Sequence, residues 1–341
     1  MIAFGCEPVP FALHCMRAAA IASGILVVTF QTRAAENPLE LVRTIDLPRV
    51  EGRIDHLAFD LAAERLYVAA LGNNTVEVVD VKGGTRIRSL PGFRKPQGIA
   101  VVADSKSIAV ANGQSDGVRF VGTDDYRPGA SIRLGDDSDN VRYDATARRV
   151  YVGFASGALA AIDPAEGRIL GQAALEGHPE SFQLERSGTR AFVNVPTADH
   201  IAVVDRLSMT VVGTWPLATA KSNFPMALDD PNHRLFVGCR RPARGLVYDT
   251  ASGRELSSFD IVGDTDDVFY DAARKRLYVS GGEGYLDVIQ DQGENRFARV
   301  AHIPTAEGAR TSLFVGERSR LFLAVPHRGN QKAEIRVFEA R

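Results

Sequence analysis

Histidines and carboxylates recur at short spacing in this sequence, and these side chains can bind metal ions or exchange protons. Asp55 directly precedes His56, and Glu180 follows His178 by two residues. Imidazole combined with carboxylates suits zinc, manganese, iron or calcium, depending on a geometry that sequence does not give. The same groups can serve as a general acid or base. We therefore take His56, His178 and Glu180 as candidates for both metal binding and catalysis, with Asp266 as a further candidate metal ligand.

Arginines accompany these groups and allow a second interpretation, in which a polar or anionic small molecule is bound. Guanidinium groups pair well with carboxylate and phosphate, and nearby carboxylates would hold the arginines in place. A divalent metal is the only cofactor that the residues suggest. The combined set of candidate ligand-binding residues is polar or charged throughout: Arg53, Asp55, His56, Gln97, Asp139, Asn140, His178, Glu180, Asn223, Arg240, Arg241, Asp266, Asp267, Arg310, His327 and Arg328.

A repeated phrase indicates the elements that would position these side chains. A basic residue is followed by a short apolar run, as in Arg65-Leu-Tyr-Val and Arg276-Leu-Tyr-Val. Ser107-Ile-Ala-Val is a degenerate copy. The third residues of the seven copies are spaced by 42, 42, 41, 44, 42 and 44 positions: Tyr67, Ala109, Tyr151, Phe192, Phe236, Tyr278 and Phe322.

Each repeat divides into four short runs rich in β-branched and aromatic residues, separated by Gly, Asn and Asp. This is the signal of strands and turns, and four strands in about 40–45 residues is the period of a propeller blade. We predict an all-β, seven-bladed β-propeller of four-stranded antiparallel blades over residues 38–341, as a single domain. The last repeat lacks a fourth strand and residues 39–47 precede the first repeat, so we expect these to pair and close the ring.

The Tyr/Phe-Val phrase on the second strand resembles the YVTN-type β-propeller repeat, and the resemblance covers essentially all of residues 38–341. Its members include exported bacterial proteins of unknown role, and similar seven-bladed rings include lactone hydrolases. The resemblance is specific for the fold. It implies no particular activity, because propellers carry many unrelated functions.

In such a ring, the loop before the first strand of each blade and the turn between its second and third strands emerge on one face, which we call the top face. Most of the candidate residues fall in these segments. Asp55, Asp139, Glu180 and Asp266 are expected at one equivalent position, where their charges would repel unless a cation or a raised pKa relieved them. The alternative is that most of these residues only form turns. On the opposite, bottom face we expect solvated turns alone.

Composition narrows the function classes. The net charge is −2, which disfavours nucleic acid as a partner. There is no P-loop, Gly-x-Ser-x-Gly elbow or His-Glu-x-x-His motif. We therefore expect a monomer that binds a small polar or anionic molecule, a metal or another protein at the channel mouth. A metal- or arginine-assisted lactone hydrolase or lyase is the alternative, and a non-catalytic scaffold for protein interactions is the second alternative.

The N-terminal region has the pattern of an export signal. Met16 and Arg17 precede 13 uncharged residues, Ala18 to Phe30, and Ala34 ends a stretch suited to signal peptidase. We predict that residues 1–34 comprise this signal with an upstream extension, that Met16 is the natural start, and that the protein is periplasmic or secreted. No later segment is expected to span a membrane.

Overall fold

Seven four-stranded antiparallel sheets form the protein between Asn37 and Arg341, as expected for a seven-bladed propeller. The computed structural model describes residues 1–5, 7–10, 37–114 and 117–341. Residues 1–36 form a separate unit, and the predicted signal falls mainly on residues outside the described ones. Apart from short 3-10 turns of three residues, the described part of the chain contains no helix.

Blades 1 to 3 follow one another along the chain, each with its strands in sequence order. Blade 1 comprises β2 (Leu57–Asp60), β3 (Arg65–Ala70), β4 (Thr75–Asp80) and β5 (Thr85–Leu90), after β1 (Leu39–Asp46). Blade 2 comprises β6 (Pro96–Val102), β7 (Ser107–Asn112), β8 (Gly117–Gly122) and β9 (Pro128–Ile132). Blade 3 comprises β10 (Val141–Asp144), β11 (Arg149–Phe154), β12 (Ala158–Asp163) and β13 (Arg168–Ala174).

Blades 4 to 6 repeat the same order, and blade 7 differs. Blade 4 comprises β14 (Phe182–Leu184), β15 (Arg190–Val195), β16 (His200–Asp205) and β17 (Thr210–Pro216). Blade 5 comprises β18 (Lys221–Asp229), β19 (Arg234–Arg241), β20 (Ala243–Asp249) and β21 (Glu255–Asp260). Blade 6 comprises β22 (Thr265–Asp271), β23 (Arg276–Gly281), β24 (Tyr285–Asp291) and β25 (Phe297–Pro304). Blade 7 comprises β26 (Ser312–Val315), β27 (Arg320–Val325), β28 (Glu334–Ala340) and β1.

The expected ring closure is confirmed, because β1 pairs antiparallel with β28. Their register places Ile45 opposite Ile335, with a bulge between Leu41 and Arg43. The N-terminal strand thus supplies the fourth strand that the last repeat lacks. The pairing also covers an edge that would otherwise present free backbone groups.

The second strands lie at the centre of the core because both of their faces are covered by neighbouring blades. The aromatic residues of the repeat phrase are nearly inaccessible: Tyr67, Tyr151, Phe192, Phe236, Tyr278 and Phe322. Phe322 of blade 7, for example, packs in one cluster with Leu66 and Val68 of blade 1. The sequence repeat therefore corresponds to one blade and its interface with the next blade. The same spacing determines where each loop emerges on the top face.

Candidate functional site

Three carboxylate residues occupy the same position in their blades on the top face. The backbone N–H groups of Asp55, Asp139 and Glu180 donate to carbonyl oxygens of the second strand at 2.7, 3.0 and 3.0 Å. Each acceptor lies two residues after the aromatic of its repeat phrase: Ala69, Gly153 and Asn194. Asp266 lies on β22 where the pairing with β23 shifts register. The bulge gives its side chain a different direction from a regular strand residue.

His56 lies among three carboxylates. Its Nδ1 is 3.5 Å from Asp267 Oδ2, and its Nε2 is 3.7 Å from Asp55 Oδ1 and 3.9 Å from Asp139 Oδ1. Burial would lower the pKa of His56, but Asp267, Asp55 and Asp139 outweigh that effect and raise it to about 10. His56 is therefore an imidazolium at neutral pH, which suits it to donate a proton and not to accept one.

A cluster of three arginines surrounds Asp266. Arg240 Nη2 lies 2.6 Å from Asp266 Oδ1, and Arg310 Nε lies 2.9 Å from Asp266 Oδ2. Arg53 contacts Asp55 at 2.9 Å and Asp266 at 3.7 Å. Arg240 also stacks over the Phe224 ring, with its guanidinium carbon 3.6 Å from the ring centre. Each of these arginines therefore has a carboxylate partner of the chain, as the interpretation with a bound anion also expects.

A different group of side chains has open coordinating atoms. One ligand atom each from Asp139, His178 and Glu180 lies within 4.8 Å of the other two, and we call these residues the metal triad. Asp139 Oδ1 is buried and accepts no hydrogen bond. His178 Nδ1 lies 2.6 Å from the Ala155 carbonyl oxygen, which leaves Nε2 directed to the site, 4.0 Å from Asp139 Oδ2.

The pKa values in the metal triad single out Glu180 as the member whose charge is disfavoured. Burial would raise the pKa of Asp139, but His178, His56 and Arg53 outweigh it and lower that pKa. Burial, together with Asp139 and Asp266, raises the pKa of Glu180 to about 8. For His178, burial lowers the pKa, but Asp139, the Ala155 carbonyl and Glu180 outweigh it and raise it to about 9. Among the described residues, no cationic group lies within 4.0 Å of Glu180 and none donates it a hydrogen bond, so its carboxylate is available to an added ligand.

Three of the other predicted residues have structural partners. Gln97 Nε2 donates to Asp137 Oδ1 at 3.2 Å and to the Ser138 carbonyl at 3.1 Å, which ties blade 2 to the loop of blade 3. Asn223 Nδ2 donates to side-chain and main-chain oxygens of blade 4 at 2.8 and 2.9 Å. The Asn140 amide lies 3.5 Å from His56 Nε2 and orients that ring.

The remaining predicted residues lie at the rim. Arg241 ends β19 and is exposed. His327 Nδ1 is 2.8 Å from Glu51 Oε2, and Arg328 is 3.3 Å from Glu307. Together with Arg53 and Arg310, the side chains of His327 and Arg328 line a shallow cavity of about 400 Å³ beside the arginine cluster.

Sequence reasoning grouped His56, His178, Glu180 and Asp266 as metal candidates, whereas the structure brings together His178, Glu180 and Asp139. His56 and Asp266 lie outside the metal triad because they serve as counter-ions for neighbouring groups. Asp139 could have been chosen from its equivalent position in the repeat, but the lack of an adjacent histidine in the chain hid it. Only the packing of blade 3 against blade 4 joins it to His178.

Sequence reasoning also missed Arg142, which lies inside the channel on β10. A basic residue on a strand is usually expected to face solvent, so the position of Arg142 in the sequence did not indicate a site. The expectation of a bottom face with solvated turns alone is incomplete, because the cavity of about 550 Å³ beside Arg142 opens there.

The sequence matches no protein-family model, and no curated protein matches it. Solved structures nevertheless share the fold. One chain of a mitotic checkpoint complex superposes with a TM-score of 0.76 at 12% identity, covering 95% of this chain and 98% of that one. A chain of hydrazine synthase from Kuenenia stuttgartiensis gives 0.71 at 15% identity, covering 84% and 97%. At such low identity, these matches establish the seven-bladed propeller and nothing finer.

The propeller fold supports a binding or scaffold role in general. No helix among the described residues is both long and apolar enough to cross a membrane.

Proposed function

We propose that this propeller binds a divalent metal ion at its top face through Asp139, His178 and Glu180. The observation that carries the proposal is the convergence within 4.8 Å of three ligand atoms, one each from Asp139, His178 and Glu180. A metal ion would offset the burial and the carboxylate repulsion that raise the pKa of Glu180. One imidazole with two carboxylates suits zinc or manganese.

The surroundings of the metal triad also support a bound ion. His178 Nδ1 is fixed by the Ala155 carbonyl, and a second hydrogen bond of this kind orients the imidazole of a metal site. The backbone of Asp139 is fixed by close packing, since a Cβ on Gly98 would lie only 2.1 Å from the Asp139 carbonyl oxygen. These contacts hold both ligands within their loops and reduce the ordering needed on binding.

Metal titration of the purified protein tests the proposal. We expect one site per chain by isothermal titration calorimetry with Zn²⁺ or Mn²⁺. Removing a single ligand by Asp139→Asn, His178→Gln or Glu180→Gln should weaken binding by at least about tenfold, since each variant loses a direct metal bond. Stoichiometric binding that all three variants retain would contradict the proposal.

Glu176→Gln is the matched control for this experiment. Glu176 lies in the same loop, two residues before His178, and its side chain is 75% exposed. Glu176→Gln makes the same chemical change as Glu180→Gln at a position outside the metal triad. The affinity of this variant for the metal should equal that of the parent protein.

A metal-assisted hydrolase or lyase, acting for example on a lactone, is a second candidate function. The observation that favours it is that three protein ligands leave coordination positions for water or a substrate carbonyl. The His56 imidazolium, 3.9 Å from Asp139, would serve as a proton donor. Hydrolysis of members of a lactone panel that requires both added metal and His178 would support this candidate. Metal binding without any turnover would contradict it and would keep only the proposed metal-binding role.

We also propose that the chain is exported and that it belongs to the YVTN-type repeats. The support is the uncharged run from residue 18 to residue 30 and the repeat phrase on the second strands. Expression in a Gram-negative host should yield periplasmic protein whose N-terminus, by intact mass, is Ala35. Recovery of the full 341-residue chain from the cytoplasm would contradict export.

A further inference from the structure

A cavity of about 550 Å³ opens on the bottom face, away from the metal triad, and we call it the bottom cavity. It lies between the turns that follow the first strands of blades 3 and 4, so Asp144, Thr146, Glu185 and Arg186 are among its lining residues. This position is the far end of the strands whose near ends carry Asp139 and Glu180.

The bottom cavity continues into the central channel. Arg142, Tyr143 and Gln183 line both the bottom cavity and a channel space of about 400 Å³ that reaches His56 and Asp267. Arg142 therefore stands at the boundary between the two spaces.

The Arg142 guanidinium has few partners for a charged group in such a position. It donates to the Val141 carbonyl at 2.9 Å and to Ser181 Oγ at 3.4 Å, and it lies 5.5 Å from the Phe182 ring centre. Among the described residues, no carboxylate lies within 4.0 Å of it. Burial lowers the pKa of Arg142, and the more distant Asp267 and Asp139 offset this only in part. A guanidinium carries five N–H donors, so several remain free.

The carboxylates around the bottom cavity are already neutralised by other cations. Asp144 pairs with Arg206 across the interface of blades 3 and 4. Glu185 accepts a hydrogen bond from Arg190 Nε at 3.0 Å. Arg186 is exposed at the rim and has no described carboxylate within 4.0 Å of its side chain. The charges left without a direct counter-ion, Arg142 inside and Arg186 at the rim, are thus both positive.

We propose that the bottom cavity binds a small oxyanion, carboxylate or phosphate, through the guanidinium of Arg142. An unpaired buried charge is costly, and a planar guanidinium matches both anions in a bidentate manner. Arg186 adds a second positive charge on the way in and favours anions over cations. The site is separate from the proposed metal site and serves a ligand of opposite charge.

Calorimetric titration with inorganic phosphate and, separately, with malonate tests this proposal and distinguishes the two anions. We expect at least one of the two anions to bind the parent protein. Arg142→Gln should weaken the binding of that anion by at least about tenfold, because the substitution removes a charge-assisted pair. Arg254→Gln is the matched control. Arg254 is an exposed residue of the turn between β20 and β21, and replacing it by Gln changes the net charge by the same amount as Arg142→Gln does. It should bind as the parent does.

Four results would overturn the proposal, the fourth of which concerns unfolding without anion. The first is that neither anion binds the parent, and the second is that Arg142→Gln keeps the parent affinity. The third is that Arg53→Gln, in the arginine cluster of the top face, abolishes binding while Arg142→Gln does not. Without anion, Arg142→Gln should keep or raise the midpoint of thermal unfolding, since it removes an unpaired charge. A lowered midpoint would show a structural role and would also contradict the proposal. His178→Gln should leave anion binding intact, which keeps this test apart from that of the metal site.

Discussion

At the scale of the residue, the top face is a balance of charges in which one carboxylate is poorly compensated. Asp266 has Arg240 and Arg310 as direct partners, and Asp55 has Arg53. Glu180 has no such partner, and burial with neighbouring carboxylates raises its pKa to about 8. A group held in this way reduces stability, as groups of functional sites often do.

The raised pKa of Glu180 gives a prediction for stability. In the unfolded chain, a glutamate ionises near pH 4.3, whereas the folded protein resists ionisation up to about pH 8. The contribution of Glu180 to the stability of the folded protein therefore becomes increasingly unfavourable as pH rises from about 4.3 to about 8. Metal-free Glu180→Gln should have a higher free energy of unfolding than the parent at pH 8, and the difference should shrink toward pH 5.

Urea unfolding of both proteins at several pH values, in the presence of a chelator, measures this difference. The same variant should lose the stabilisation that metal gives the parent, so the two effects of Glu180→Gln have opposite signs. A purely structural glutamate would show a loss of stability in both conditions. Equal stability of variant and parent at all pH values would contradict the assigned charge balance.

At the scale of the element, the strands and their closure could be predicted from sequence, because each rests on a local pattern that recurs seven times. The pairing of β1 with β28 followed from a missing strand at one end and an extra one at the other. The partners of side chains on the top face could not be predicted in the same way. The loops are irregular, and contacts such as that of Arg240 with Phe224 depend on the angles between blades.

Ring closure also gives a prediction for β1. Ile45 on this strand is 1% exposed and packs with Ile335 and Val337, whereas Val42 on the same strand is 42% exposed. Ile45→Ala should lower the free energy of unfolding by about 2–5 kcal/mol through loss of buried surface and a cavity. Val42→Ala is the control, with an expected change within about 0.5 kcal/mol.

Chemical denaturation of the two variants gives both values. If Ile45→Ala unfolded with the parent's midpoint, β1 would not be an integral part of blade 7. A partial transition, in which blade 7 opens first, would instead support closure as a weak point of the ring.

At the scale of the whole molecule, the ring gathers residues that are distant in sequence onto two ends of one channel. The top face brings Asp139 of blade 3 together with His178 and Glu180 of blade 4, and the bottom face exposes Arg142 to a separate cavity. A propeller does this because every blade presents its loops on the same two faces of the ring. The ring itself does not define a chemistry, because propellers carry many different functions.

The location of a bound metal tests the central claim most directly. A crystal of the protein grown or soaked with Zn²⁺ and measured at the zinc absorption edge should show one strong anomalous peak. The account predicts this peak about 2.0–2.2 Å from one side-chain atom each of Asp139, His178 and Glu180. A peak at another set of residues, or no peak at the metal triad with Zn²⁺ in excess, would contradict it.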